Sequence, residues 1–373
     1  MRPSDPAPRA LAPDLVDELR EIAAAHGITH TGVAPATVMT RARAALVERH
    51  AAGLDDTMAF TYKNPERSTD PRRAVRNAQA LFVGARPYRS VEPDGPIGVE
   101  MSGRVARYSW ADHYEPLREG LRAVAGRLRR DRWKAVAFAD DNSVVDREAA
   151  HLAGLGWYGK NANLLLPGAG SWFVLGSVVT DAPLPVASGV VADGCGSCRR
   201  CLDACPTGAI VQPGVVDARR CLSWLLQKPG IFDRALRQAV GDRMYGCDDC
   251  QEVCPPSVRS SRHEEPSTPG EPETHVDVLA LLDADDDDVL RRWERWYISD
   301  RDPRWLRRNA LIVIGNSGVR SARVRAVLER YLAADDPVLR AHAVWAARRC
   351  DLDDLLPESD PHPDVRLELT AAL

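Results

Sequence analysis

Apolar and polar positions follow two different periods along the first 190 residues. Helical spacing of apolar residues covers three segments, at 14–25, 114–130 and 144–155. Short apolar runs bounded by Gly, Pro, Asp or Asn predict strands at 28–33, 80–85, 135–139 and 172–180. Helices that alternate with strands in this way predict an α/β domain over residues 1–190.

The C-terminal part of the chain has only the helical period. A polar stretch with three prolines, SVRSSRHEEPSTPGEPETH, predicts an exposed linker over residues 259–276. Beyond it, Asp-Pro pairs at Asp302 and Asp336 and the Pro363-Asp364 pair each precede an amphipathic segment. Such recurrence is typical of helical repeats, so we predict a HEAT-like α-helical module over residues 277–373.

Composition narrows the class of protein. The chain has 373 residues, 45% of them hydrophobic, and a mean hydropathy of -0.30, values typical of a soluble protein with a large core. Its formal net charge of -4 predicts no global attraction to nucleic acid. No apolar run approaches membrane-spanning length, and the N-terminus lacks the apolar segment of a secretory signal. We therefore predict a cytoplasmic protein without a membrane partner.

Eight of the nine cysteines lie between Cys195 and Cys254. The first four form C-x2-C-x2-C-x3-C-P, the ligand spacing of bacterial two-cluster 4Fe-4S proteins, in which the fourth cysteine binds the other cluster. A ferredoxin-like module over residues 191–258 is therefore predicted. The crossed assignment gives one cluster Cys195, Cys198, Cys201 and Cys254, and the other Cys205, Cys221, Cys247 and Cys250.

Two alternatives remain open for these cysteines. C-x2-C pairs also bind zinc, although zinc ribbons use four cysteines in two pairs. A protein with two clusters could also be a plain electron carrier or a structural iron-sulfur protein, but that leaves the α/β domain unexplained. Cys350 stands apart on a helical face, where we expect a buried free thiol.

Several longer motifs resemble those of a known family, the epoxyqueuosine reductases. They are CGSCRRCLDACPTGAI at 195–210, DARRCLS at 217–223, GCDDCQEVCP at 246–255, GLGWYGKN at 154–161, GSWFVLG at 170–176 and RRNA at 307–310. Ferredoxin motifs recur in many proteins, whereas their combination with GLGWYGKN and GSWFVLG is far more specific. The resemblance covers almost the whole chain.

The resemblance implies a cobalamin-dependent oxidoreductase with two 4Fe-4S clusters, related in its core to reductive dehalogenases. It would reduce epoxyqueuosine to queuosine at the wobble position of a tRNA anticodon, the last step of queuosine biosynthesis. Its implied partners are a tRNA with a queuosine-type anticodon and an external low-potential electron donor. A dehalogenase-like cobalamin enzyme acting on a small molecule is the alternative within this class.

The resemblance also implies site residues. Asp140, at the end of the 135–139 strand, matches the carboxylate that protonates the epoxide oxygen, with the adjacent Asp141 as an alternative register. The order Asp112-His113-Tyr114 departs from the Asp-Tyr-His of many relatives, so His113 receives no role. The positions that match cobalamin contacts are Arg67, Lys160, Asn161, Leu164, Ser171, Ser223, Cys247, Asp248, Asp249 and Cys250.

Positive charge gathers at the start of the C-terminal module. Arg301, Arg304, Arg307 and Arg308 lie within one short stretch, and Arg320, Arg323 and Arg325 follow. Arginine can form paired hydrogen bonds with phosphate, so we predict tRNA contact here. The alternative is a solvated face of the repeats.

Overall fold

The structure is a computed structural model that describes residues 11–88, 98–261 and 272–372. None of the helices in these ranges is both long and apolar enough to span a membrane.

The N-terminal region is a layered α/β domain. Its elements are α1 (Leu15–Ala25), β1 (His30–Pro35), α2 (Thr40–Ala51), α3 (Pro65–Ser68), α4 (Pro71–Ala74), β2 (Ala80–Pro87), β3 (Ser102–Val105), α5 (Tyr114–Arg130), β4 (Ala135–Phe138), α6 (Asp146–Leu152), β5 (Trp157–Tyr158), β6 (Leu164–Leu165) and β7 (Phe173–Thr180). The four predicted strands are confirmed as β1, β2, β4 and β7, and the predicted helix 114–130 is α5.

These four strands form one sheet in the order β1-β2-β7-β4, with antiparallel neighbours throughout. Successive side chains of a strand point to opposite faces. Phe82 therefore packs with α1 and α5, while Leu81 and Val83 pack with α6 on the other face. Burial on both faces explains why β2 is a continuous apolar run rather than an alternating one.

One edge of this sheet faces the cysteine-rich region. The C-terminal ends of β2 and β4 and the N-terminal end of β7 lie there, because Pro87 pairs with Phe173 and Phe138 pairs with Ser177. Beyond β2, the Tyr88 hydroxyl donates a hydrogen bond to Gln251 at 3.3 Å. The end of β4 therefore points its following loop toward the cysteines.

The cysteine-rich region consists of short elements. They are α7 (Arg200–Asp203), β8 (Ile210–Gln212), β9 (Val215–Val216), α8 (Leu222–Leu225), α9 (Arg234–Val240), β10 (Arg243–Tyr245), α10 (Asp249–Glu252) and α11 (Pro255–Ser260). The strand β10 pairs in parallel with β3 of the first domain. Main-chain hydrogen bonds thus connect the cysteine-rich region to the N-terminal domain.

The C-terminal region follows as β11 (His275–Asp277), α12 (Val278–Asp283), α13 (Asp286–Arg292), α14 (Arg304–Ser317), α15 (Ala322–Leu332), α16 (Pro337–Arg349) and α17 (Pro363–Thr370). The Asp-Pro pairs begin helices as predicted, and the Asp336 side chain caps α16 by accepting the Leu339 N–H. β11 pairs with β3 on the side opposite β10. The predicted linker 259–276 therefore includes the end of α11 and the start of β11, while its residues 262–271 lie outside the described residues.

The C-terminal helices share one hydrophobic core with the cysteine-rich region. Leu225 and Met244 lie in the same cluster of buried side chains as Leu311 of α14 and Trp345 of α16. The last three helices pack beside one another, α15 and α17 both against α16. The cysteine-rich region is therefore held between the sheet and the C-terminal helices.

Candidate functional site

The first group of cysteines surrounds one cavity. Cys195, Cys198, Cys201 and Cys254 all line a cavity of about 170 Å³. The first three lie on the turn into α7 and on α7 itself, while Cys254 lies between α10 and α11, where Pro255 begins α11. Burial and the neighbouring charges of Cys254 and Cys195 raise the pKa of Cys201 to about 11. The structure thus brings Cys254 to the first three cysteines.

The second group consists of Cys205, Cys221, Cys247 and Cys250. Burial raises the pKa of Cys250, and the charges of Cys247 and Cys221 raise it further. Burial also raises the pKa of Cys221, with Cys205 among its charged neighbours. The Ala209 N–H donates to the Cys205 sulfur at 3.2 Å, a bond that stabilises a thiolate. These charge effects indicate that the four cysteines lie near one another, and the crossed assignment stays a prediction.

The ninth cysteine, Cys350, belongs to neither group. Cys350 is fully buried far along the chain, as expected of a free thiol.

Asp140 begins the loop that follows β4. Its backbone is in the left-handed region, with φ of 54°, and its N–H donates to the Asp146 carboxylate at 3.2 Å. The side chain is exposed, yet surrounding protein desolvates the carboxyl and raises its pKa, against the opposing charges of Arg118 and Arg147. Such an environment favours the protonated form of a carboxyl that water can still reach.

Asp141 has a different environment from Asp140. Its carboxylate accepts the Ser143 N–H at 2.7 Å, which is a local turn contact, and its side chain is exposed. The two adjacent aspartates are therefore distinguished by the structure: surrounding protein partly desolvates Asp140, and Asp141 closes a turn.

Asp146 is a residue that the sequence analysis missed. Its Oδ2 accepts the Asp140 N–H, whereas its Oδ1 is buried without a hydrogen-bond partner. Burial raises its pKa well above the ordinary range, and the nearby charge of Asp140 raises it further. An acid in the first turn of a helix is usually an exposed partner of the helix dipole, so no signal in the sequence marked this one.

Arg147 and Tyr114 face the same region. Burial raises the pKa of Tyr114, and the charges of Asp140 and Asp146 raise it further. Arg147 is exposed and makes no hydrogen bond or ion pair with any described residue. Its charge nevertheless opposes the burial that raises the pKa values of Asp146 and of Cys221. Arg147 therefore acts electrostatically on both the Asp140 loop and the second cysteine group.

The residues that match cobalamin contacts do not all lie near Arg147 and the Asp140 loop. Arg67 is exposed and donates to the Ser143 hydroxyl at 3.2 Å, next to the Asp140 loop. Lys160 instead donates to the carbonyls of Gly196 and Cys198, and it lines the cavity of the first cysteine group. Asn161 lines the same cavity and donates to the Cys250 carbonyl.

The other matching residues are held by protein groups. Leu164 is buried in the sheet core, and the Ser171 hydroxyl donates to Gln251 at 3.0 Å. Burial raises the pKa of Asp248 to about 7, and its carboxylate accepts the Arg107 N–H. Asp249 pairs with Arg243 at 2.7 Å. Ser223 is partly exposed, two residues beyond Cys221.

The predicted phosphate contact of the arginine cluster is wrong for Arg308. Its side chain is fully buried and donates to the carbonyls of Leu225, Lys228 and Gly230. Because these carbonyls belong to the cysteine-rich region, Arg308 attaches α14 to that region rather than to a ligand. Burial lowers its pKa to about 9.

The other arginines of the cluster are also used within the protein. Arg304 pairs with Asp302 and Asp336, Arg307 pairs with Asp286, and Arg301 donates to main-chain carbonyls. The three that follow pair with Asp351, Asp283 and Asp354 in turn. The cluster is dense in sequence, but its charge is largely balanced in the fold.

Comparison with known proteins gives a family match over the cysteines. Residues 194–257 match the family model of the 4Fe-4S double cluster binding domain. An epoxyqueuosine reductase of Xanthomonas campestris pv. campestris is 34% identical over 305 residues, which cover 79% of this chain and 85% of the relative.

Among solved structures, epoxyqueuosine reductases are also similar to this chain. A Bacillus subtilis epoxyqueuosine reductase, in a structure with its catalytic aspartate loop swung out of the active site, has a TM-score of 0.86 at 28% identity. An epoxyqueuosine reductase with an epoxyqueuosine-modified tRNA-Tyr stem loop gives the same values. Both alignments cover 95% of this chain and 97% of the other. The likeness therefore extends over the whole described architecture.

Proposed function

The chain belongs to the family of epoxyqueuosine reductases, and we propose that it reduces epoxyqueuosine to queuosine at the wobble position of a tRNA anticodon. The observation that carries this function is the shared location of three features. A carboxyl with a raised pKa, the exposed Arg147 and the second group of four cysteines lie near one another at the same end of the sheet. The family match covers both groups of four cysteines.

The reaction needs two electrons and two protons. An epoxide that accepts them becomes a carbon–carbon double bond and releases one water molecule. When bound, 4Fe-4S clusters deliver electrons one at a time, and cobalamin supplies a strongly reducing cobalt. The residues of this chain have the remaining tasks: they bind these groups, orient the nucleoside and deliver the protons.

We infer that cobalamin binds in the space between the Asp140 loop and the second cysteine group. The support is Arg147, which is exposed, has no partner among the described residues and acts electrostatically on both Asp140 and Cys221. Among the matching positions, Arg67 contacts Ser143 next to the Asp140 loop, and Ser223 and residues 247–250 belong to the second cysteine group or adjoin it. Leu164, Ser171, Lys160 and Asn161 would support the site from behind, because Leu164 is buried and the side chains of the other three already bind protein.

Asp140 is the proton donor in this proposal. Desolvation keeps its carboxyl protonated to a higher pH than usual, and a bound nucleoside would exclude more water and extend that range. The proton goes to the oxygen of the opening epoxide. Because the oxygen becomes much more basic as its carbon bond breaks, a carboxylic acid is strong enough for this step.

The tRNA partner follows from the reaction. We infer that α12–α17 form HEAT-like repeats, since the Asp-Pro starts of α14 and α16 recur and neighbouring helices pack together. Their paired arginines give little reason to place the phosphate backbone there, so we place the anticodon loop beside Asp140. Because tRNA is the substrate and thiolates need a reducing environment, we infer that the enzyme acts in the cytoplasm.

The test is anaerobic reconstitution with iron, sulfide and cobalamin, followed by assay on tRNA that carries epoxyqueuosine. We expect mass spectrometry of the digested tRNA to show a nucleoside that has lost one oxygen atom. The matched control omits cobalamin and should show no conversion. Conversion without cobalamin would contradict the cofactor, and no conversion with both cofactors bound would contradict the function.

The crossed assignment predicts different iron contents for two double variants. Wild-type protein should contain about eight iron and eight sulfide per chain, as two cubes require. Cys195→Ala with Cys254→Ala removes two ligands of one cluster and should leave about four iron. Cys195→Ala with Cys205→Ala removes one ligand from each cluster and should leave far less iron than the four of the other double variant. The reverse pattern would mean that Cys205 belongs with the first three cysteines.

We predict that Asp146 holds the Asp140 loop in the position that catalysis needs. Asp146→Leu removes the acceptor for the Asp140 N–H, so turnover should fall by about 10- to 100-fold, the cost of a misplaced catalytic group. Asp146→Asn keeps an acceptor oxygen and should restore kcat to within a few-fold. If the Asn variant were as inactive as the Leu variant, the proton of Asp146 and not its position would be required.

A further inference from the structure

The cavity of the first cysteine group opens between basic side chains. Lys160, Arg200 and Arg259, which we call the basic rim, line it together with the four cysteines, and no carboxylate of the described residues lines it. Arg200 and Arg259 are exposed, and neither guanidinium makes a hydrogen bond or ion pair with any described residue. In a protein with a net charge of -4, this is a local positive surface.

The basic rim contrasts with the other arginines. Those of the C-terminal helices pair with aspartates, as Arg304 does with Asp336 and Arg325 with Asp354. Lys160 differs from its two partners in the rim, since it binds carbonyls of the cysteine loop. Arg200 and Arg259 therefore have no structural task within the described part of the fold, and their charges are available to a partner.

The basic rim lies where an electron donor outside the protein could approach the first cysteine group. Cysteines of both groups are partly exposed, but the two groups face different parts of the site. The basic rim lines the cavity of the first group, whereas Cys221 of the second group lies near Arg147, on the side of the Asp140 loop. Because we place cobalamin and the substrate beside the second group, an external donor would approach the first group from the side of the basic rim. Clusters held by the two groups would then relay electrons toward cobalamin.

We propose that the basic rim is the docking surface for an acidic protein that carries one electron at low potential. The inference rests on the proposed function, because it requires clusters at both cysteine groups. Each docked donor loses one electron, which the first cluster gains. Two such transfers supply the two electrons that one epoxide consumes, and both protons come from the solvent through the enzyme. Charge complementarity favours such a donor, since opposite charges speed the encounter.

The experiment uses holoenzyme and a reduced plant-type 2Fe-2S ferredoxin with strongly negative net charge as the probe. The test variant is Arg200→Glu with Arg259→Glu, which reverses both exposed charges of the rim. The control is Arg76→Glu, an exposed arginine before β2 at the opposite end of the sheet from Asp140. Stopped-flow bleaching of the clusters measures electron transfer, and a redox-inactive gallium-substituted ferredoxin measures affinity.

At low ionic strength the double variant should lose about tenfold or more of the bimolecular rate constant, because electrostatic steering contributes about 10- to 1000-fold. Its Kd for the gallium protein should rise in parallel, and both quantities should depend less on salt. Reduction by methyl viologen, a small cationic donor, should be unchanged, as should every value for Arg76→Glu.

Three results would overturn the proposal. Unchanged rate and Kd with ferredoxin would place docking elsewhere. An equal loss of rate with methyl viologen would mean that the arginines tune the cluster rather than bind a protein. A loss of tRNA affinity with ferredoxin binding intact would make the rim a nucleic-acid surface. Failure of the proposed function is distinguishable, since wild-type protein would then leave epoxyqueuosine unreduced even with methyl viologen as donor.

Discussion

Replacing Asp140 by Asn is expected to lower the turnover of epoxyqueuosine by about 10²- to 10⁴-fold, the usual contribution of a general acid. Asparagine has nearly the same shape and keeps a polar group at the end of β4, but it has no acidic proton. Because the cysteines lie on other elements, cobalamin and iron contents should remain those of the wild type. Single-turnover assays with prereduced enzyme measure the effect without interference from the electron supply.

The matched control is Asp141→Asn. Its side chain oxygen can still accept the Ser143 N–H, so the turn should persist and turnover should change by no more than a few-fold. If Asp141→Asn were the inactive variant and Asp140→Asn the active one, the register of the catalytic residue would be wrong by one position.

The same assignment predicts a pH dependence. Desolvation raises the pKa of Asp140, so its proton is retained above the ordinary titration range of aspartate and lost as the pH rises through the raised pKa. The rate of single-turnover reduction should therefore be highest at lower pH and fall on the alkaline side. In Asp140→Asn the rate should no longer fall as the pH rises. A fall that persisted in this variant would be caused by the titration of another group.

Arg308→Met is expected to destabilise the protein by about 3 kcal/mol. Three carbonyls of the cysteine-rich region would lose their donor, and each buried group without a partner costs about 1–3 kcal/mol, partly offset because a buried charge is removed. Anaerobic urea denaturation, followed by tryptophan fluorescence, measures the change. Cluster loading must be matched between proteins, since bound clusters stabilise the native state.

The comparison for this prediction is Arg304→Gln. Arg304 pairs with Asp302 and Asp336 near the surface, where ion pairs contribute about 0–1 kcal/mol. Its stability should stay close to that of the wild type. If Arg308→Met were as stable as the wild type and bound tRNA more weakly, Arg308 would face phosphate after all, and the buried contacts that we assign to it would be wrong.

The sequence predicted the helices and strands whose own residues show a regular apolar pattern. Apolar periodicity placed α5 and the four strands of the large sheet, because each of these segments buries enough side chains to show its period. The short strands β3, β10 and β11 were missed. Each is three or four residues long, and its stability comes from pairing with strands that are distant in sequence, so no local pattern could reveal it.

Within the site, the sequence by itself indicated the cysteine-rich region that matches the 4Fe-4S double cluster binding domain, because close spacing in a turn already directs several sulfurs to one point. Which four cysteines share each cluster stays a prediction. The tertiary structure alone decided the roles of charged residues. Whether Arg308 binds phosphate or carbonyls, and whether Asp146 is an exposed helix acid or a buried support for Asp140, depends on which groups the fold brings near them. Electrostatic and hydrogen-bond energies depend on distance and burial in three dimensions, and neither quantity is encoded in the local sequence.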